Sequence, residues 1–398
     1  MATQRQIFFS HQAQTTDFPL AIEMRSALGN YIEDINGKRY LDLISGISVS
    51  NIGHRHPHVV DAIKRQVDTH MHLLVYGEFI QAPQTRLAEK LISLVPPSLS
   101  SVYFVNSGSE ALEGAVKLAK RATGRPDIIH FDKSYHGSSQ GALSLIGDEH
   151  FSERYRPLVP GVKKLTYNSI PDLHQIDHRT AAVVIEPVQG EAGYVPATRE
   201  FLEAIRKRCD QTGALLIFDE IQTGIGRTGK FLALEHYGVD PDILLLAKGL
   251  GGGMPIGAFL ASKELMDNFK ENPLLGHITT FGGHPVSAAA ALATLEVLEN
   301  EDLLSSVQMK EALFHERLLH EEIHKIRGKG LMLSVQMKSF EFLKKVIDRC
   351  LEKGLITDWF LFNDSSMRIA PPLTITIDEI HHACDVILSS IEEVHLSE

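Results

Sequence analysis

A lysine that closes an apolar run is placed to use its amine rather than its charge. Lys248 follows Asp-Ile-Leu-Leu-Leu-Ala and precedes Gly-Leu-Gly-Gly-Gly, at the edge of what reads as a buried strand. Desolvation there lowers a lysine pKa and frees the amine to attack a carbonyl carbon and form a Schiff base. The bland alternative is a lysine whose stem snorkels along a strand end. Asp219 closes a second run, "ALLIFD", where an unpaired carboxylate is costly and a cationic partner is expected. A protonated ring nitrogen is one such partner, and a salt bridge elsewhere in the fold is another. Glu186 closes a third run, "AAVVIE".

Ser107, Gly108 and Ser109 begin the helical pattern "SGSEALEGAVKLA", and Ser107-x-x-Glu110 has the spacing of a capping box. N–H groups and the positive end of a helix dipole at such a turn suit a phosphate monoester, although a plain helix cap has the same residues. Tyr135 could lay its ring on a planar ligand, or pack in the core. A carbonyl-reactive lysine, a partner for a ring nitrogen, a phosphate cradle and a stacking face are four requirements of one cofactor, pyridoxal 5'-phosphate.

These residues need a scaffold that gathers strand ends. From about residue 101 to 261 the runs "SVYFV", "DIIHF", "AAVVI", "ALLIF", "DILLLA" and "IGAFLA" alternate with helical patterns, as a mostly parallel α/β sheet between two helical layers requires. Ligands of such sheets bind beyond the carboxyl ends of the strands, where the residues above stand. After Pro285 one long helical pattern, a short strand and two amphipathic helices suggest a smaller α+β unit. "YIEDINGKRYLDL" reads as a hairpin turning at Asn36-Gly37.

The 398 residues carry 39 Lys plus Arg against 50 Asp plus Glu, a net charge of -11 with no basic runs, which argues against nucleic acid as a partner. Cys209, Cys350 and Cys384 form no C-x-x-C pair, and no apolar stretch approaches the roughly 18 residues of a membrane span, so a cytoplasmic protein without a membrane partner is expected.

In order and spacing, "YIEDINGKRYLDLISGISVSNIGHRHP", "NSGSEA", "YHG", "EPVQGEAG", "LLIFDEIQTGIGRTG", "LLLAKGLGGGMPIGA", "TTFGGHP", "RGKGL" and "MRIAPPL" resemble the class III pyridoxal-phosphate aminotransferases, the group of ornithine, acetylornithine and 4-aminobutyrate aminotransferases. The resemblance implies fold type I: a large domain with a mostly parallel seven-stranded sheet at 49–285, and a small domain from 1–48 and 286–398. It implies Lys248 as the Schiff-base lysine, Asp219 on the pyridine nitrogen and Gln222 on the ring oxygen. Ser107, Gly108, Ser109, Tyr135 and His136 would bind the cofactor, and Glu186 would support the Asp219 side. Thr280 would reach the phosphate of a neighbouring subunit, which implies a homodimer with shared sites. Glu191 and Arg368 match a switch in which the glutamate masks the arginine until the 2-oxo acid arrives; an ordinary ion pair is the alternative.

Two substrate-side positions depart from that pattern. Ser138 stands where those relatives typically have an arginine that clamps a substrate carboxylate, and Ile47 where ornithine aminotransferase has a tyrosine. The expected donor is therefore the terminal amine of an ornithine-like or acetylornithine-like amino acid, with 2-oxoglutarate or a similar acceptor. 4-Aminobutyrate, lysine, a diamine, or mutase or decarboxylase chemistry remain alternatives. Three rivals of other classes can be stated. Gly137-Ser138-Ser139-Gln140-Gly141 has the spacing of a hydrolase nucleophile elbow centred on Ser139, but leaves Lys248 and Asp219 without a role. "GIGRTG" at 224–229 has a dinucleotide-binding spacing without a helix directly after a strand. His54, His56 and His58, "HMH", and His381-His382 could hold zinc, yet lack a matching cysteine or carboxylate, and no metal is expected.

Overall fold

The computed structural model describes residues 3–74 and 77–397. Seven strands form the central sheet, in the spatial order Ser101–Val105, Gly257–Ala261, Ile243–Leu246, Leu215–Asp219, Thr180–Ile185, Asp127–Phe131 and Val162–Leu165. Gly257–Ala261 runs antiparallel to both its neighbours and the other pairings are parallel. The four strands Asp127–Phe131, Thr180–Ile185, Ile243–Leu246 and Gly257–Ala261 are buried at every residue, which is why they read as unbroken apolar runs. The helices Gly108–Thr123 and Arg199–Thr212 pack on the sheet and end in left-handed Gly124 and Gly213.

The two ends of the chain meet in the next sheet. Met24–Leu28, Tyr31–Asp34 and Arg39–Asp42 form an antiparallel sheet, and Leu355–Ile356 joins it alongside Arg39–Asp42. The hairpin turn falls at Asn36-Gly37, with Gly37 at φ 83. A second antiparallel sheet of Lys325–Gly328, Leu333–Gln336, Asn363–Ile369 and Trp359–Phe360 carries Arg368. The helices Phe340–Glu352 and Ile377–His395 pack against each other beside it.

The long helical pattern after Pro285 is two helices, Pro285–Asn300 and Val307–Arg317, interrupted where Asp302 turns left-handed at φ 46. Polar Asn300, Glu301 and Asp302 offer no face to bury at that point. Pro285–Asn300 packs on Pro57–Thr69 and Ala82–Leu94. "GIGRTG" forms successive turns and opens no helix. Its Arg227 is buried and donates to the carbonyls of Leu331 and Pro371, to Ser45 Oγ and to Asn51 Oδ1.

Candidate active site

The carboxyl ends of the strands open into one cavity of about 430 Å³, lined by Ser107, Gly108, Ser109, Tyr135, His136, Glu186, Glu191, Asp219, Gln222 and Lys248 among others. Nine of the ten expected cofactor residues therefore meet in one place; Thr280 is the exception. Thr280 is exposed, and its carbonyl accepts from His72 Nε2 at 3.0 Å. Lys248 is the only lysine or arginine lining the cavity among the described residues. Burial pushes its ammonium below the usual lysine value against the pull of Glu191 and Asp219, and its backbone sits at φ 43, a region a non-glycine residue occupies only when the surroundings impose it.

Asp219 is oriented by two donors. His136 Nδ1 lies 2.7 Å from its Oδ2 and the N–H of Ile221 donates to its Oδ1 at 3.0 Å. Burial opposes a charge on His136, but the hydrogen bond and charge of Asp219, with that of Glu186, outweigh it and raise the imidazole pKa. Glu186 makes no hydrogen bond to Asp219. It accepts from the N–H groups of Tyr135 at 3.1 Å and Gly190 at 2.8 Å, so it holds the loop that carries Tyr135 and His136. Burial, with the charge of Asp219, pushes it up to about 7.

At the helix start Ser107 Oγ accepts from the N–H of Glu110 at 3.2 Å, as a capping box requires, but the reciprocal bond is absent. Glu110 Oε2 instead accepts from the N–H and Nδ2 of Asn106 at 2.7 and 2.9 Å, because the chain bends one residue earlier. The Ser107 N–H is thereby spared for a ligand, beside those of the first helical turn. The packing leaves no room here: a Cβ on Gly137, whose φ is 124, would lie 2.0 Å from Ser109 Oγ, and one on Gly108 would lie 2.8 Å from Ile221.

These features fit pyridoxal 5'-phosphate. Gln222 Oε1 is buried without a protein partner, as expected of an amide that meets a ligand's polar atom. An anion site at a helix start, a held carboxylate for a ring nitrogen and an amine of depressed pKa face the same space.

Arg368 and Glu191 are a buried ion pair, with Nη2 3.0 Å from Oε2. Burial would raise the Glu191 pKa, but the Arg368 charge holds it below the usual carboxylate range. A second carboxylate, Asp358, accepts from Arg368 Nε at 2.8 Å. Sequence reasoning missed it, because the contact exists only once Trp359 pairs with Met367 across two antiparallel strands.

Ser138 and Ile47 do not line the cavity. Ser138 is exposed, with its Oγ 3.1 Å from the Tyr135 hydroxyl. Ile47 belongs to a left-handed run, Ser45, Gly46, Ile47 and Ser48 at φ 47, 63, 61 and 63, which Asp42 pins by accepting from the N–H groups of Ile44 and Ser45. Val49 just beyond it reaches the cavity, a residue that no sequence signal marked.

The rival centres do not assemble. Ser139 precedes a short helix, Gln140–Leu143, and its Oγ donates to Glu113 Oε1 at 2.8 Å with no histidine in that contact. Ser139→Ala is accordingly expected to change turnover less than threefold, within the worth of one part-exposed hydrogen bond of about 0.5 kcal/mol; steady-state kinetics check this, and total loss would revive the nucleophile. His54, His56 and His58 go separately to Asp42, Glu301 and Glu296. Cys209, Cys350 and Cys384 are buried thiols, each pushed up to about 12 by burial. No helix among the described residues is long and apolar enough to cross a membrane.

Known proteins resemble this chain along nearly all its length. The family model described as "Aminotransferase class-III" matches residues 12–391. The acetylornithine aminotransferase of Archaeoglobus fulgidus is 40% identical over 363 residues, which cover 91% of this chain and 93% of that protein. The LysW-aminoadipate semialdehyde/glutamate semialdehyde transaminase of Sulfurisphaera tokodaii is 38% identical over 316 residues, covering 78% and 80%. A structure of the ornithine aminotransferase of Toxoplasma gondii, with partial occupancy of PLP at its active site, superposes with a TM-score of 0.91 at 30% identity, covering 98% of this chain and 93% of that one.

Proposed function

The chain belongs to the class III aminotransferases, and from that premise we propose that it takes the terminal amino group of an ornithine-like or acetylornithine-like amino acid and delivers it to a 2-oxo acid such as 2-oxoglutarate by a ping-pong sequence. The observation that carries this reading is the single cavity where Lys248, Asp219 and the helix start at 107–109 face one another. The enzyme uses pyridoxal 5'-phosphate, which supplies an aldehyde to accept the amino group and a ring that draws electrons from the carbon losing its proton.

The residues of this chain take the following parts. Ser107, Gly108 and Ser109 would hold the phosphate on N–H groups and hydroxyls at the start of Gly108–Thr123. Tyr135, with its backbone fixed by Glu186, would stack on the ring. Asp219, steered by His136, would hold the ring nitrogen in its protonated form, and Gln222 would bond the ring oxygen. Lys248 would hold the cofactor through its amine, and that amine, once released, would move a proton between the amine-bearing carbon and the cofactor side, a role that its depressed pKa suits.

A second copy of the chain completes the site in this reading. The Thr280 carbonyl bonds His72, and Leu74, Phe79, Ile80, Leu274, Leu275 and Phe281 are exposed apolar side chains. A homodimer that covers them brings Thr280 to the partner's phosphate.

Glu191 masks Arg368 while the amine donor is bound and yields it to the 2-oxo acid. Arg368→Ala is then expected to raise the KM for 2-oxoglutarate about 10- to 100-fold, the worth of a lost charge-assisted pair, with less than threefold change for the amine. Half-reaction kinetics check this, and equal losses on both sides would contradict the exchange.

The donor is tested by glutamate formation from 2-oxoglutarate with N-acetylornithine, ornithine, 4-aminobutyrate, lysine and diamines. Preference for ornithine or acetylornithine supports the proposal. Because Ser138 brings no cation to the donor's far end, a preference for a diamine is the specific result that would replace it.

A further inference from the structure

We propose that Asp358 is the positioning residue that holds Arg368 while Glu191 is exchanged for the carboxylate of the 2-oxo acid, an inference that rests on the Glu191–Arg368 reading above. Arg368 is almost fully buried, with its guanidinium 4.4 Å from the Phe360 ring centre. Its two faces are served unequally. Asp358 takes the Nε side at 2.8 Å, and its backbone carbonyl accepts from the Arg368 N–H at 2.8 Å. Glu191 takes the Nη1 and Nη2 edge through longer contacts of 3.3, 3.3 and 3.0 Å. Glu191 lines the cavity and Asp358 does not.

Two carboxylates face one guanidinium. The longer contacts and the position in the cavity single out Glu191 as the one that leaves. If Glu191 were the sole partner, its departure would strand a buried guanidinium, an arrangement far costlier than the pair itself. With Asp358 in place, the arginine stays neutralised and keeps Nη1 and Nη2 directed at the space Glu191 vacates, as two-point recognition of an incoming carboxylate requires. Asp358 thus acts through Arg368 and does not touch substrate.

The chain contains one tryptophan, Trp359, next to Asp358, and its carbonyl accepts from Arg368 Nη2 at 3.4 Å, so its fluorescence reports on this corner. The test titrates the holoenzyme with glutarate, a non-reacting dicarboxylate, against butyrate as control. Asp358→Ala is expected to weaken glutarate binding about tenfold, and Asp358→Asn, which keeps an acceptor for Nε but not the charge, falls between it and wild type. The KM for 2-oxoglutarate, measured from the pyridoxamine-phosphate form, should follow the same order while the amine half-reaction stays within about twofold. Unchanged glutarate binding in Asp358→Ala, with binding lost in Arg368→Ala, would overturn the role of Asp358 alone. Undiminished binding in Arg368→Ala would overturn the exchange itself and this proposal with it. Equal damage to both half-reactions in Asp358→Ala would reduce the residue to a general structural one and also overturn it.

Discussion

Lys248→Ala is expected to lower transamination by about 10⁴-fold or more, because one substitution removes both the nucleophile and the proton carrier. Single-turnover kinetics with a saturating amine donor measure the loss. The protein should stay folded, since burial already disfavours the Lys248 charge. Lys248→Arg keeps the charge but cannot form the imine bond, and should be as inactive as the alanine variant. Residual turnover above about one per cent of wild type in either variant would contradict the assignment.

Asp219→Asn is expected to cost about 10² to 10³ in kcat, because the neutral amide cannot hold a ring nitrogen in its protonated form and the electrostatic assistance is lost. The substitution also acts on His136. In the folded wild type the His136 pKa is raised from 6.5, so its contribution to stability is full below 6.5 and is lost as pH rises through the higher folded value. Without the Asp219 charge, burial would govern and the sign would reverse. The Tm gap between wild type and Asp219→Asn should therefore be widest below pH 6.5 and narrow above it. Thermal melts from pH 5.5 to 8.5 check this; a gap that widens with pH would show that His136 is not the charged partner.

Both variants sit at strand ends, and that is why much of the site was legible in the sequence. A strand buried on both faces must be an apolar run, and the polar residue that closes it faces the ligand side of the sheet; Lys248, Asp219 and Glu186 were readable on that ground alone. The seventh strand, Val162–Leu165, was not, because an edge strand with Lys163 and Lys164 lacks the apolar continuity of its neighbours. The roles of charged pairs were less readable than their members. That His136, and not Glu186, holds Asp219 depends on how a loop folds back over 83 residues of separation. Asp358 reaches Arg368 through strand pairing, and Glu110 chooses Asn106 over Ser107 through a local bend. Spacing along a chain carries none of these three.

The substrate side shows the same division. The absence of an arginine at Ser138 was plain in the sequence, but only the structure shows that no other arginine or lysine lines the cavity beside Lys248 among the described residues. In the proposed function recognition of an acid falls to Arg368, which lies just outside the cavity lining and is paired with two carboxylates.

The central claim is that Lys248 carries the cofactor, and borohydride reduction of the purified holoenzyme followed by peptide mass spectrometry tests it most directly. The account predicts one pyridoxyl group, on the peptide containing Lys248. A pyridoxyl group on another lysine, or none after reduction of protein that holds the cofactor, would contradict it.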